Sequence, residues 1–263
     1  CWFNEYIYSQ NEKENSNLRN LKNKIESTNE INELEIAILG CYIPLNTSKI
    51  IAKKLLKYQS KNILFNDLID VQIKEPLKEV DLMKSIKSFN KITDPISNIV
   101  REQYEENPYP RWRYTNISLP ENFSRWINAE IKPNKIILNK DFDKPNVLIA
   151  GCGTGKHAIL ATKYKDANIT SIDLSLKSLA YAKRKTQDLG LKNIEYLHAD
   201  ILQLKNLNKK FNIIESSGTL HHMKEPIKGL KVLLDVLKNG GYLKLGLYSE
   251  IAREHVVKVR ELI

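Results

Sequence analysis

Cysteine is scarce in this chain: Cys1, Cys41 and Cys152 are the only three, odd in number and widely scattered. That argues against a disulfide framework, offers no metal-ligand spacing, and fits a reducing cytoplasm. No apolar run approaches the roughly 18 residues that a membrane span requires. The start, Cys1-Trp-Phe-Asn-Glu-Tyr6, has neither an initiator Met nor a basic stretch before an apolar one, so a signal peptide is not expected. The end, Val256–Ile263, stops inside a helical pattern without a capping residue, and the chain reads as a fragment cut at both ends. Glycine is scarce too. There are ten, and three of them, Gly151, Gly153 and Gly155, stand together.

What is abundant is lysine. The net charge of +10 raises the question of nucleic acid. The lysines, however, are spread along helices such as Ile50-Ile-Ala-Lys-Lys-Leu-Leu-Lys57 rather than gathered with aromatics and glycines. A solvated surface on a chain rich in Lys, Asn and Ile accounts for them, and a nucleic-acid partner is disfavoured. With 42% hydrophobic and 27% charged residues the composition is that of a soluble globular protein. The length allows one large domain or two smaller ones.

The glycine cluster lies in the most informative stretch. Asn146-Val-Leu-Ile-Ala150 has strand character, breaks into Gly151-Cys-Gly-Thr-Gly155, then reads as a helix. Glycine permits a sharp turn and lets backbone approach a ligand closely. A second strand-like run, Asn168–Asp173, ends in a carboxylate eighteen residues past Gly155, where a βαβ unit offers an acceptor to ribose hydroxyls. The pattern predicts a pocket for a nucleoside cofactor. A dinucleotide fingerprint would need a third glycine at position 156, which is Lys156. That residue, and the lack of a recognisable redox set, disfavour nicotinamide chemistry.

The spacing G-x-G-x-G resembles motif I of the class I S-adenosylmethionine-dependent methyltransferases. The resemblance continues through Asn193–Asp200, a third strand ending in an acid, and Phe211–Gly218, a fourth strand followed by Thr219-Leu-His-His-Met223. It extends to Leu237–Leu245, the turn into strand five. One position departs: the acid that most members carry two residues before the first glycine is Ile149 here. The connector Arg101–Trp112, rich in Tyr, Trp, Arg and Pro, and Gly246–Arg253 are similar to a bacterial subgroup often found behind tetratricopeptide repeats.

The chain is expected to divide into a helical region over 1–106, a Pro- and aromatic-rich connector over 107–145, and a cofactor-binding domain over 146–263. The polar run Gln10–Asn17 reads as a loop. Helical stripes are expected at Leu34, Ile38 and Tyr42, at Ile50, Leu55 and Tyr58, and at Leu82, Ile86 and Phe89 in a helix from Pro76 to Phe89. Ser48 and Asp94 suit helix N-termini. From 146 onward, strands at 146–150, 168–173, 194–198, 211–216 and 242–248 alternate with helices at 155–164, 175–189, 225–238 and 250–263. Such alternation predicts an α/β fold with a doubly wound, mostly parallel sheet. The resemblance implies a Rossmann-like order 3-2-1-4-5 without the family's C-terminal strands six and seven, and hence an open edge at strand five.

Ligands of such sheets collect at the carboxyl ends of the strands. The resemblance therefore implies S-adenosyl-L-methionine, held by Gly151, Cys152, Gly153 and Gly155, by Asp173 and Leu174 at the ribose, by Asp200 and Ile201 at the adenine, and by Ser217 after strand four. The helix that follows the loop would favour the cofactor's carboxylate. His221 and His222 are the candidate bases, since imidazole titrates near neutrality. Tyr104, Tyr109 and Trp112 either close over the cleft or dock the helical region. The motif that base-modifying amino methyltransferases carry after strand four is missing, Asn107-Pro-Tyr-Pro110 lying before strand one. The acceptor is a small molecule or a protein side chain, with a protein partner available to the helical region and no membrane. A non-catalytic binding module on the same fold is the alternative.

Overall fold

The computed structural model describes residues 9–138, 141–249 and 251–260. The opening Cys1–Tyr6 lies outside these residues. The chain forms two compact units, dividing between Asp81 and Leu82 rather than after residue 106.

The first unit is helical: α1 (Glu12–Ser27), α2 (Glu33–Tyr42), α3 (Lys49–Leu56), α4 (Ile63–Ile69) and the start of α5 (Glu75–Met83). The run from Gln10 is not a loop throughout, because Asn11 caps α1. Its side chain accepts from Glu14 N, while the Glu14 carboxylate accepts from Asn11 N, both at 2.9 Å. This reciprocal pair satisfies two helix-end donors. Ser48 caps α3 as expected, accepting from Ile51 N. The stripe on α2 is not the expected one. Leu34 is 70% and Ile38 44% exposed, and the buried face is Ile36, Leu39 and Gly40. On α3 the buried residues are Ile51, Ala52 and Leu55, and Ile50 faces outward. Lys54 Nζ donates to the carbonyls of Ile25 at 2.7 Å and Glu26 at 2.9 Å, satisfying acceptors left open near the end of α1.

The second unit is built on a six-stranded parallel sheet. Its strands are β1 (Lys87–Ser88), β2 (Asn146–Ala150), β3 (Asn168–Asp173), β4 (Ile194–His198), β5 (Phe211–Ser217) and β6 (Leu237–Gly246). Their order is β1-β4-β3-β2-β5-β6. The five strands from 146 onward take the expected order, and β1 adds one more beside β4. The helix expected from Pro76 to Phe89 stops at Met83, because the segment after it turns to pair with β4: Phe89 N donates to His198 O at 2.8 Å. Along β2, Val147 and Ile149 enter one apolar layer with Ala158, Ala161, Leu179 and Ala180. Leu148 and Ala150 enter the other with Phe211, Val232 and Leu233. Alternation with period two thus supplies both faces of a sheet covered on both sides.

The covering helices are α6 (Pro95–Glu106), α7 (Phe123–Glu130), α8 (Lys156–Leu160), α9 (Leu176–Asp188) and α10 (Pro226–Val236), and α11 (Glu254–Arg260) follows β6. Asp94 caps α6, accepting from Ser97 N at 2.8 Å. α8 is shorter than expected and continues as a 3-10 turn to Lys163. β6 begins five residues early, with Leu237 opposite Phe211 and a register shift before Tyr242 meets Ile213. Gly240, at φ 71°, takes up that irregularity. β6 ends the sheet, and Lys238 and Lys244 stud it with charge, which discourages pairing with another strand. No helix among the described residues is long and apolar enough to cross a membrane.

Candidate functional site

The chain turns sharply out of β2, with Gly151, Gly153 and Gly155 at φ 77°, 51° and 85°. At Gly155 the reason for glycine is steric. A Cβ there would lie 2.4 Å from that of Ala182, so its absence lets α8 start against α9. At Gly153 the neighbourhood is open: a Cβ would meet only the Tyr109 carbonyl oxygen, at 3.9 Å, and would project over the cleft. Gly151 backs onto Thr219.

A cleft of about 630 Å³ opens at the carboxyl ends of the strands. Gly151, Cys152, Gly153, Asp173, Leu174, Asp200, Ile201 and Ser217 all line it, whereas Gly155 serves packing beneath it. Asp173 holds the loop in place. Its Oδ2 accepts from Gly153 N at 2.8 Å and its Oδ1 from Ser175 N at 3.0 Å. Burial raises the pKa of this carboxyl, and the backbone N–H groups of Ser175, Gly153 and Leu174 pull it back. Asp200 is buried, with Oδ1 accepting from Leu202 N at 2.9 Å. Burial, with Asp173 nearby, pushes the Cys152 thiol well up, so it is a protonated wall group and not a nucleophile.

The connector clips onto the loop. Trp112 Nε1 donates to Thr154 O at 3.1 Å, and Thr154 Oγ1 donates to Pro110 O at 2.6 Å. Trp112 is buried, edge-on to Tyr181, and forms no part of the cleft lining. Tyr104 and Tyr109 do line it, together with Ile96 and Val100 from α6. Ile96 and Val100 carry no signal of this in the sequence, since an apolar stripe on a helix normally marks core. α6 is held there by Ser175 Oγ, which donates to Tyr104 O at 3.1 Å, and by the Glu105 carboxylate, which accepts from Leu176 N.

The two candidate bases separate. His222 lines the cleft, and His221 does not. The ring of His221 stacks on Tyr248, centroid to centroid 4.1 Å, and on His222 at 4.3 Å. Both its nitrogens are buried without a partner among the described residues. Burial, then the neighbouring His222 and Arg253, lower its pKa, and the ring packs between Tyr248 and His222. Arg253 lies over the Tyr248 ring at 3.9 Å.

A third histidine escaped the sequence reading. His157 lines the cleft, and its Nε2 lies 2.5 Å from Oε2 of Glu215, a buried residue of β5. Their separation of 58 residues gave no local cue. Among the described residues no group of three His, Cys, Asp or Glu is placed to hold a metal ion.

Residues 147–241 match the family model described as a methyltransferase domain. An uncharacterised protein of Synechococcus sp. is 29% identical over 177 residues, covering 66% of this chain and 42% of that protein. The tRNA U34 carboxymethyltransferase of Nautilia profundicola is 28% identical over 186 residues, covering 69% of this chain and 54% of that enzyme. The chain thus spans about half the length of these two curated relatives. Among solved structures, magnesium protoporphyrin IX methyltransferase from Synechocystis superposes with a TM-score of 0.46 at 21% identity, over 64% of this chain and 80% of that one.

Proposed function

We propose that this chain binds S-adenosyl-L-methionine and transfers its methyl group to a small-molecule or protein acceptor. Asp173 carries the reading. Its carboxylate ends β3, is bonded to the glycine loop, and faces a cleft where Gly153 leaves open space. The match of residues 147–241 to a methyltransferase-domain model supports the same assignment. When bound, the cofactor supplies a methyl group activated on a sulfonium sulfur.

The chain's own residues bind and align. Asp173 accepts from the ribose hydroxyls. Asp200, with Oδ1 committed to Leu202 N, offers Oδ2 to the adenine amine, and Ile201 gives an apolar wall. Tyr104, Tyr109 and Tyr248 line the same cleft, and aromatic faces suit a sulfonium. His222, the cleft-lining member of its pair, takes the proton where an acceptor must lose one. The connector Arg101–Trp112 and the segment Gly246–Arg253 support membership of the bacterial subgroup associated with tetratricopeptide repeats, the three scattered cysteines support a cytoplasmic setting, and the helical unit is available to a protein partner.

Ile149, apolar where the resemblance would place an acid, favours one other reading: a module that binds the cofactor, or a partner, without turnover. Calorimetry with S-adenosylhomocysteine and, separately, NAD tests the cofactor. Binding of the former alone supports the assignment, and binding of NAD alone, or of neither by folded protein, refutes it. Cofactor binding without methylation across amines, phenols, protein extract and RNA favours the module. RNA belongs in that screen because one relative is a tRNA carboxymethyltransferase.

A further inference from the structure

We propose that His157, oriented by the buried carboxylate of Glu215, receives the α-amino group at the amino-acid end of the cofactor. The inference rests on the cofactor reading above and extends it to the part of the cleft away from Asp173.

The sheet order sets the direction. Asp173 and Asp200 follow β3 and β4, on one side of β2 and its glycine loop, while β5 and β6 lie on the other. A nucleoside seated on the two aspartates therefore sends its 5′ substituent across the loop toward β5. There Glu215 stands in register with Ile149, which in turn stands in register with Ser171 of β3. Side chains in register on neighbouring strands share a face, and of these three only Glu215 ionises. It is 2% exposed.

A buried carboxylate is tolerated only when hydrogen-bonded. Glu215 Oε1 accepts from the Tyr164 hydroxyl, and Oε2 faces His157 Nε2 at 2.5 Å. Burial would raise its pKa, but the His157 bond and charge, then the Tyr164 bond, outweigh burial and hold it down at about 2. Glu215 is therefore an anion throughout the neutral range, and an anion can only accept. The proton between the pair belongs to Nε2 of His157.

That assignment fixes the other nitrogen. With a single proton on the ring, held at Nε2, Nδ1 carries a lone pair. The His157 side chain is 25% exposed and lines the cleft. Nδ1 has no hydrogen-bond partner among the described residues. A lone pair relaying a buried negative charge complements an ammonium and repels a carboxylate. Glu215 holds the ring at one edge, and the other edge is presented to the ligand, as an orienting carboxylate does for a metal-bound or catalytic imidazole.

The test compares two nucleosides that differ at this end. S-adenosylhomocysteine carries the amino acid, whereas 5′-methylthioadenosine keeps the nucleoside and sulfur and has a methyl group instead. Both are titrated by calorimetry into the parent chain, His157→Ala and Glu215→Gln. The glutamine keeps the volume of Glu215, but its amide donates to Nε2, moves the ring proton to Nδ1 and so removes the lone pair. We expect both variants to bind S-adenosylhomocysteine about ten- to a hundred-fold more weakly, as for loss of a charge-assisted hydrogen bond. Binding of 5′-methylthioadenosine stays unchanged and serves as the check on folding. If Glu215→Gln fails that check, His157→Ala decides alone. Parent-like affinity for S-adenosylhomocysteine in His157→Ala overturns the inference, as does an equal weakening of both nucleosides. A folded parent that binds neither nucleoside overturns the cofactor reading, and this inference with it.

Discussion

Replacing Asp173 by Ala should damage the loop and the ribose site together, and the two effects are separable. Two backbone donors, Gly153 N at 2.8 Å and Ser175 N at 3.0 Å, lose their acceptor. The site is half-buried, so water replaces the carboxylate only partly, and a cost of about 2 kcal/mol is reasonable. At roughly 2–4 °C per kcal/mol for a unit of this size, the melting temperature falls by about 4–8 °C. Loss of the charged acceptor for the ribose weakens S-adenosylhomocysteine by a further ~1.5–3 kcal/mol, or about ten- to a hundred-fold. Asp173→Asn separates the contributions. It keeps one acceptor oxygen for a backbone N–H but turns a donor toward the other, and it has no charge for the ribose. Its melting temperature should fall less than that of Asp173→Ala, while its affinity falls nearly as far. Calorimetry and thermal denaturation on all three proteins read both quantities. Unchanged affinity in a folded Asp173→Ala protein would refute the ribose assignment. An unchanged melting temperature would refute the role given to the two backbone bonds.

Stability should also decline in acid, in two stages. His198 has a lowered pKa, chiefly through burial. Its contribution is complete above the ordinary value of 6.5 and is lost as pH falls through the folded value. Glu215 contributes fully above 4.5 and loses that contribution as pH falls toward about 2. Denaturant titrations between pH 7 and about 3 should show both declines, with the second flattened in Glu215→Gln; an unaltered slope there counts against the pair. Gly155→Ala forces a Cβ against Ala182 at φ 85°, and Gly190→Ala faces open space at φ 69°. The first should cost about 2–4 kcal/mol and the second about 1 kcal/mol by chemical denaturation, and equal costs would remove the packing argument. Cys152, buried in the cleft wall, should alkylate far more slowly than exposed Cys41, and more slowly still with S-adenosylhomocysteine present. Equal rates measured by mass spectrometry would contradict the burial.

The parallel sheet was legible because its strands are buried on both faces. Residues 146–150, 168–173 and 194–198 are short β-prone runs between polar turns, and these match β2, β3 and β4. Helix faces were harder. α2, Glu33-Leu-Glu-Ile-Ala-Ile-Leu-Gly-Cys-Tyr42, is apolar on nearly every side, so spacing could not choose between Leu34 with Ile38 and the buried Ile36 with Leu39. β1 has only two residues and no pattern of its own, since its partner on β4 is its only cause. In the cleft, the residues contributed by strand ends and the glycine loop could be named in advance, because topology sends those places to one edge. The Glu215–His157 pair could not, because it depends on two elements meeting across the sheet. Ile149 drew attention for the carboxylate it lacks, and the carboxylate that is present sits one strand away.

The edge formed by β1 has a consequence for the order in which the second unit assembles. Ser88 Oγ meets His198 Nδ1 at 3.0 Å across 110 residues of chain, and His198 Nε2 meets the Leu174 carbonyl at 2.9 Å. Closing so long a loop for a two-residue ladder is entropically expensive and returns few contacts. The strand nearest the start of the unit should therefore be the last to dock and the first to open. Native-state hydrogen exchange would find the Phe89 amide, bonded to His198 O, exchanging through a local opening while the β2 and β3 amides wait for global unfolding. Because His198 also grips the backbone beside Asp173, each such opening would loosen the rim of the cleft. Ligand occupancy and the fraying of this edge are in that sense one equilibrium seen from two ends.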